Sequence, residues 1–184
     1  MQSYKAGKEA IRWFSEWVLP EKDGRILDLG CGDGVWARLI QKPCFKVGVD
    51  AVDYMAKYDL HKVYNRYIIK DVLEPGFLKS LGKFDIVFLG DLIEHLTKEE
   101  ARYVLDTLEE FANHIIMSIR YKPKQKSLLP YDLIRQPDLT PEIAKQRYPE
   151  FDLYAHYEHP DGTPRYGYYL WVSYEFVTKR KSLI

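Results

Sequence analysis

The nine residues Ile26-Leu27-Asp28-Leu29-Gly30-Cys31-Gly32-Asp33-Gly34 constrain this chain more than any other stretch. An apolar run with an acid near its end passes into glycines at 30, 32 and 34, and Val35-Trp36-Ala37-Arg38-Leu39-Ile40 then reads as a helix. A glycine turn between strand and helix exposes bare backbone, so a ligand can lie against it with no side chain intervening. Lys46-Val47-Gly48-Val49-Asp50 supplies a second short apolar strand ending in an acid. A carboxylate at that position suits the two hydroxyls of a ribose. A nucleoside-bearing cofactor is therefore expected.

Two details argue against a dinucleotide. The dinucleotide fingerprint places a glycine at its sixth position, where this chain has Val35. Asp28 and Asp33 would repel a pyrophosphate, whereas a sulfonium or ammonium cation would be attracted to them. S-adenosylmethionine carries both cations and no phosphate. The stretch resembles motif I of class I S-adenosylmethionine-dependent methyltransferases, and Asp50 falls at that family's ribose-binding acid. The resemblance implies that Asp28, Gly30, Cys31, Gly32 and Gly34 face the methionine part, that Asp50 holds the ribose, and that Ala51 and Val52 line an adenine face. It further implies that Asp71, followed by Val72, accepts a bond from the adenine amino group. Gly90 and Asp91 would lie near the methionine ammonium.

The rest of the chain suits that family. Residues 5 to 19 place Ala10, Ile11, Phe14, Trp17 and Val18 on one helical face ended by Pro20. Strands are expected at about 25–29, 45–49, 67–70, 84–89 and 114–119, with 84–89 apolar enough to be buried on both faces. Thr97 with Glu100 forms a capping box that starts a helix reaching about Ala112, and Thr140-Pro141 starts another. Phe151–Tyr157 and Gly167–Val177 pair as an antiparallel hairpin. Alternating strands and helices give an α/β fold with a doubly wound, mostly parallel sheet. By the resemblance the sheet has seven strands, and the last is inserted antiparallel beside the fifth. One domain spanning 1–184 is expected.

Composition limits the partners. Lysine plus arginine and aspartate plus glutamate number 27 each, so there is no global field to hold nucleic acid or an anionic membrane. Two cysteines do not make a disulfide framework, and no run has the length and apolarity of a membrane span. These features fit a cytoplasmic protein acting on a small molecule as a monomer or homodimer. Many of the 15 tyrosines cluster in the last third, as on a tyrosine-rich sheet face.

Gly90-Asp91-Leu92-Ile93-Glu94-His95-Leu96 follows the fourth strand. It resembles the Asp-x-x-Glu-His segment of methyltransferases acting on ubiquinone precursors. His95 is the candidate general base, and Glu94 would orient it or hold the substrate. A similar segment serves metal-assisted RNA ribose methyltransferases, for which His156 and His159 would be needed as well; zero net charge and the lack of an RNA-binding extension count against that reading, and no metal is expected. A cofactor-binding but inactive partner subunit is the third possibility. Arg120, Lys122, Lys124, Lys126 and Arg135 gather positive charge in a proline-punctuated loop, which suits a carboxylate or phosphate on the substrate. Methyl transfer to an oxygen or nitrogen of a small metabolite is the expected activity.

Overall fold

The computed structural model describes residues 2–122 and 133–174, with the backbone alone for 2–6. Strands β1 (Arg25–Leu29), β2 (Phe45–Asp50), β3 (Arg66–Ile69), β4 (Phe84–Gly90), β5 (Ala112–Arg120), β6 (Asp152–Glu158) and β7 (Pro164–Val172) form one sheet in the order β3-β2-β1-β4-β5-β7-β6. The first five run parallel; β7 runs antiparallel to both β5 and β6. This is the expected seven-stranded, doubly wound sheet with a C-terminal antiparallel hairpin. The order reverses between β1 and β4, and ligands of open α/β sheets bind at the strand ends beside such a switch.

Both faces are covered. Leu27, Leu29, Val47, Val49, Val87, Leu89, Ile115 and Met117 pack with α3 (Phe77–Ser80), α4 (Lys98–Glu109) and α5 (Pro141–Arg147). Ile26, Ile86, Phe88 and Ile116 pack on the other face with α1 (Gln2–Val18) and α2 (Val35–Leu39). Strand β4 contributes to both layers, as its unbroken apolar run requires. The capping box forms as read: the Glu100 amide donates to Thr97 Oγ1 at 3.2 Å and the Thr97 amide to Glu100 Oε2 at 2.8 Å. Thr140 caps α5 by accepting from the Ile143 amide.

Three expectations change. The buried face of α1 runs through Gly7, Ile11, Ser15 and Val18, while Trp17 is 65% exposed. The face turns because Gly7 lies against the Tyr168 ring, where a β-carbon would come within 2.6 Å, and Ser15 returns its hydroxyl to the Ile11 carbonyl. The final strand ends at Val172; residues 175–177 of its expected range lie outside the described residues. The four-residue helix α3 and the single 3-10 turns Leu60–Lys62 and Ile93–His95 are too short for periodicity to show. The tyrosine cluster is largely core, with Tyr148, Tyr157, Tyr166, Tyr168 and Tyr169 buried.

Candidate active site

The carboxyl ends of β1, β2, β3 and β4 enclose a cavity of about 330 Å³. Gly30, Gly32, Asp50, Ala51, Val52, Asp71, Val72, Asp91 and His95 all line it, so most of the sequence-derived contacts converge there. A second cavity of about 240 Å³ lies on the other side of Gly30, Gly32 and Asp91, which line both. Its remaining walls include Lys8, Cys31, Trp36, Gly90, Ser118, Tyr166 and Tyr168. The two cavities flank these shared residues, which follow β1 and β4 at the switch point.

The β1–α2 loop shapes the junction. Gly32 has φ +48° and nothing within 4 Å of where its β-carbon would stand, so the chain there is a bare ledge that no L-residue adopts without strain. Asp50 fixes that ledge: the Gly32 amide donates to its Oδ2 and the Val52 amide to its Oδ1, both at 2.9 Å. Each oxygen of a carboxylate accepts more than one hydrogen bond, so the same group can take ribose hydroxyls. Asp71 accepts from the Leu73 amide at 2.9 Å, which is the turn-capping role of a strand-end aspartate, while also lining the first cavity. Val52, Val72, Leu73 and Leu92 supply apolar walls. Asp50 offers acceptors that match ribose hydroxyls, and Asp71 one that matches an exocyclic amine, among these apolar walls. A nucleoside fits these residues.

Asp91 follows β4 with φ +51°, an uncommon conformation for a non-glycine residue and one found at functional sites. The Ser118 hydroxyl donates to its Oδ1 at 2.9 Å. Burial raises its proton affinity, and the Ser118 bond with the charges of Arg120, Lys8 and His95 partly restores the ionised form. The register of β5 with β7, Ser118 opposite Tyr168 and Arg120 opposite Tyr166, carries both tyrosines to the second cavity. Trp36 reaches it because Gly90 has no side chain: a β-carbon at 90 would stand 2.0 Å from the indole Nε1.

Three residues assigned to the site lie behind its wall. Asp28 is fully buried, with its Oδ2 accepting from the Tyr64 hydroxyl at 2.6 Å. Desolvation pushes its carboxyl up to about 7, offset in part by that bond. It is a support beneath the loop: alternation along β1 points it to the α1–α2 face beside Phe88, where Tyr64 closes over it. Gly34 packs against Leu60 and Tyr64 at the start of α2. Glu94 is fully buried; no side chain among the described residues hydrogen-bonds its carboxyl, so it does not orient His95 by a hydrogen bond. The single 3-10 turn there directs it inward.

His95 Nδ1 lies 3.3 Å from the Leu133 carbonyl, in the wall of the first cavity with Leu96, Glu100 and Arg135. Of the basic loop, Arg135 pairs with Glu100 and Arg120 donates to the Tyr166 hydroxyl; Lys124 and Lys126 lie outside the described residues. His156 stands 3.4 Å from Glu158 on β6. Among the described residues no group of three or more His, Cys, Asp or Glu side chains is placed to hold a metal. No helix there is long and apolar enough to cross a membrane. Lys8, Trp36, Tyr64, Ser118, Tyr166 and Tyr168 were not legible as site residues. Only Gly90, a glycine ending an apolar strand, signalled that a bulky group approaches closely.

A family model described as a methyltransferase domain matches residues 3–116. No curated protein matches the sequence. Similar solved structures include the N-terminal domain of EvdMO1 with SAH bound, 18% identical with a TM-score of 0.63, covering 90% of this chain and 80% of that one. The magnesium protoporphyrin IX methyltransferase of Synechocystis PCC 6803 with bound SAM is 17% identical, with a TM-score of 0.60 and coverage of 92% and 80%. A SAM-dependent methyltransferase from Archaeoglobus fulgidus is 18% identical, with a TM-score of 0.61 and coverage of 90% and 92%.

Proposed function

The chain belongs to the methyltransferase domain family, and we propose that it transfers the methyl group of S-adenosylmethionine to an oxygen or nitrogen of a small metabolite. The observation that carries this reading is the pair of cavities: one lined by Asp50, Val52, Asp71 and Val72 and a smaller one meet at the Gly30–Gly32 ledge and Asp91. Structural neighbours crystallised with SAM or SAH support it.

When bound, S-adenosylmethionine supplies an electrophilic methyl on a sulfonium. Asp50 would hold the ribose, Val52 and Val72 the adenine faces, and Asp71 the adenine amine. Gly90 and Asp91 would stand at the ammonium. The protein's work is to align and to exclude water, because an in-line displacement needs little covalent help. Trp36, Tyr166 and Tyr168 wall the second cavity, where the methionine part would lie beside Cys31, Gly90 and Asp91. His95 stands on the first cavity's side beside Glu100 and Arg135, so it would take a proton from an acceptor entering there.

A crystal structure with S-adenosylhomocysteine tests the placement. The expected result has ribose hydroxyls on Asp50 and sulfur at the junction beside Asp91. A ligand seated away from the ledge, or reversed with adenine against Trp36, overturns it. Release of S-adenosylhomocysteine across hydroxyl, amine, thiol and carbon acceptors tests the second part; turnover confined to thiols or carbon acids would refute oxygen or nitrogen transfer.

A further inference from the structure

We propose that Glu94, acting through Asp91, lets the site tell a sulfonium cation from a neutral thioether: Glu94 gives up its proton when S-adenosylmethionine binds and keeps it when S-adenosylhomocysteine binds. The proposal rests on the S-adenosylmethionine reading above.

The starting point is a buried acid with nothing to do in the mechanism. Glu94 is inaccessible to solvent; no side chain among the described residues hydrogen-bonds its carboxyl, and the backbone of Glu94 and Arg120 offsets only part of the cost of burying it. A carboxylate in such surroundings is costly, so the neutral acid is favoured. Its place is fixed from behind, because the Arg135 and Gln136 amides both donate to the Glu94 carbonyl. Its neighbour three residues back is Asp91, which lines both cavities where they meet.

The charged groups around the two acids come from three elements. Arg120 faces them from β5, held by its bond to the Tyr166 hydroxyl at 3.0 Å. Lys8 acts on Asp91 from α1, and His95 from their own turn. Arg120 acts on both acids, and Lys8 adds to it at the acid nearer the groove, Asp91, whose ionisation is thereby favoured. Burial and the Asp91 charge together hold the proton on Glu94. With the groove empty, the pair therefore carries one proton and one negative charge.

A sulfonium at the junction changes that balance. A unit cation within about 6–8 Å, at the effective permittivity of a protein interior, lowers the proton affinity of a carboxyl by about 10- to 100-fold. The Glu94 O–H then ionises, its proton passes to solvent, and the pair becomes a dianion facing cations. The thioether has no charge, so Glu94 stays protonated beneath it. The adenosine and amino-acid parts are common to both ligands. Any proton they exchange cancels in the comparison, which isolates the sulfonium.

The test is isothermal titration of the full chain with each ligand, in buffers of different ionisation enthalpy containing EDTA, from about pH 6 to 8. S-adenosylmethionine should release about half to one proton more than S-adenosylhomocysteine at neutral pH, and the ratio of their affinities should rise with pH, by up to about tenfold per unit. Equal proton counts in the unaltered protein overturn the proposal without any variant. Glu94→Gln should abolish the difference, and Asp91→Asn, which removes the charge that holds the proton on Glu94, should reduce it. A difference that survives in folded Glu94→Gln places the proton elsewhere and refutes the assignment. If the unaltered protein binds neither ligand, the cofactor reading falls and this proposal with it. A protein that binds both with matched protons loses only the proposal.

Discussion

Replacing Asp28 by Asn should reverse part of the pH dependence of stability. Asp28 lies under the glycine loop, fully buried, with one oxygen bonded to Tyr64 and the other without a partner among the described residues. Desolvation pushes its carboxyl from 3.8 up to about 7. A raised acid pKa means that the folded protein holds a proton which the unfolded chain releases. Below pH 3.8 both states are protonated and the group contributes nothing. From there to about pH 7 each rise in pH stabilises the unfolded chain alone, so stability falls, and above about 7 the full penalty remains. At 1.36 kcal/mol per unit the shift corresponds to an upper bound of about 4 kcal/mol. Asparagine keeps an oxygen for the Tyr64 hydroxyl and has nothing to titrate. Urea denaturation of both proteins from about pH 4.5 to 8 should show the variant gaining on the wild type by about 2–4 kcal/mol as pH rises. Other acids titrate in both proteins and cancel in the difference. Parallel curves, or a wild type that gains with pH, would refute a buried neutral Asp28 and return it to the cation-facing place that the sequence implied.

Asp50→Ala should weaken S-adenosylhomocysteine binding by about 1–3 kcal/mol, since it removes a charged hydrogen-bond acceptor and frees the Gly32 amide; unchanged titration in a folded variant would separate Asp50 from the ribose. Gly90→Ala puts a β-carbon 2.0 Å from the Trp36 indole nitrogen, so the ring must move, at about 1–3 kcal/mol of stability with loss of ligand affinity; a melting curve and affinity equal to wild type would show that the approach is looser than described. His95→Ala should reduce turnover of an identified acceptor by about a hundredfold, with little change in cofactor affinity; retained turnover would move the proton acceptor to another residue.

The sheet was legible because its signals are local. Apolar runs leading to Asp50, Asp71 and Asp91, each at or just beyond a strand end, and the run through Asp28 into the glycine loop mark one edge of a parallel sheet without reference to tertiary structure. Asp50, Asp71 and the loop glycines belong to that edge and were readable for the same reason. Asp28 was misread: whether an acid in β1 faces ligand or core depends on α2 and Tyr64, which close over it from elsewhere in the chain. Glu94 differs in cause, since a single 3-10 turn decides which of three consecutive residues points inward and leaves no period in the sequence. The wall of the second cavity was the least readable part. Lys8, Ser118, Tyr166 and Tyr168 meet only through the α1 packing and the β5–β7 register. No spacing along the chain encodes that meeting.

The central claim is that this groove holds S-adenosylmethionine, and calorimetric titration of the full chain with S-adenosylhomocysteine and with NAD tests it most directly. The expected result is saturable binding of the sulfur ligand at one site per chain, and no heat from NAD, whose pyrophosphate would meet Asp33 and Asp91 at the ledge. Binding of NAD without any response to S-adenosylhomocysteine would contradict the claim.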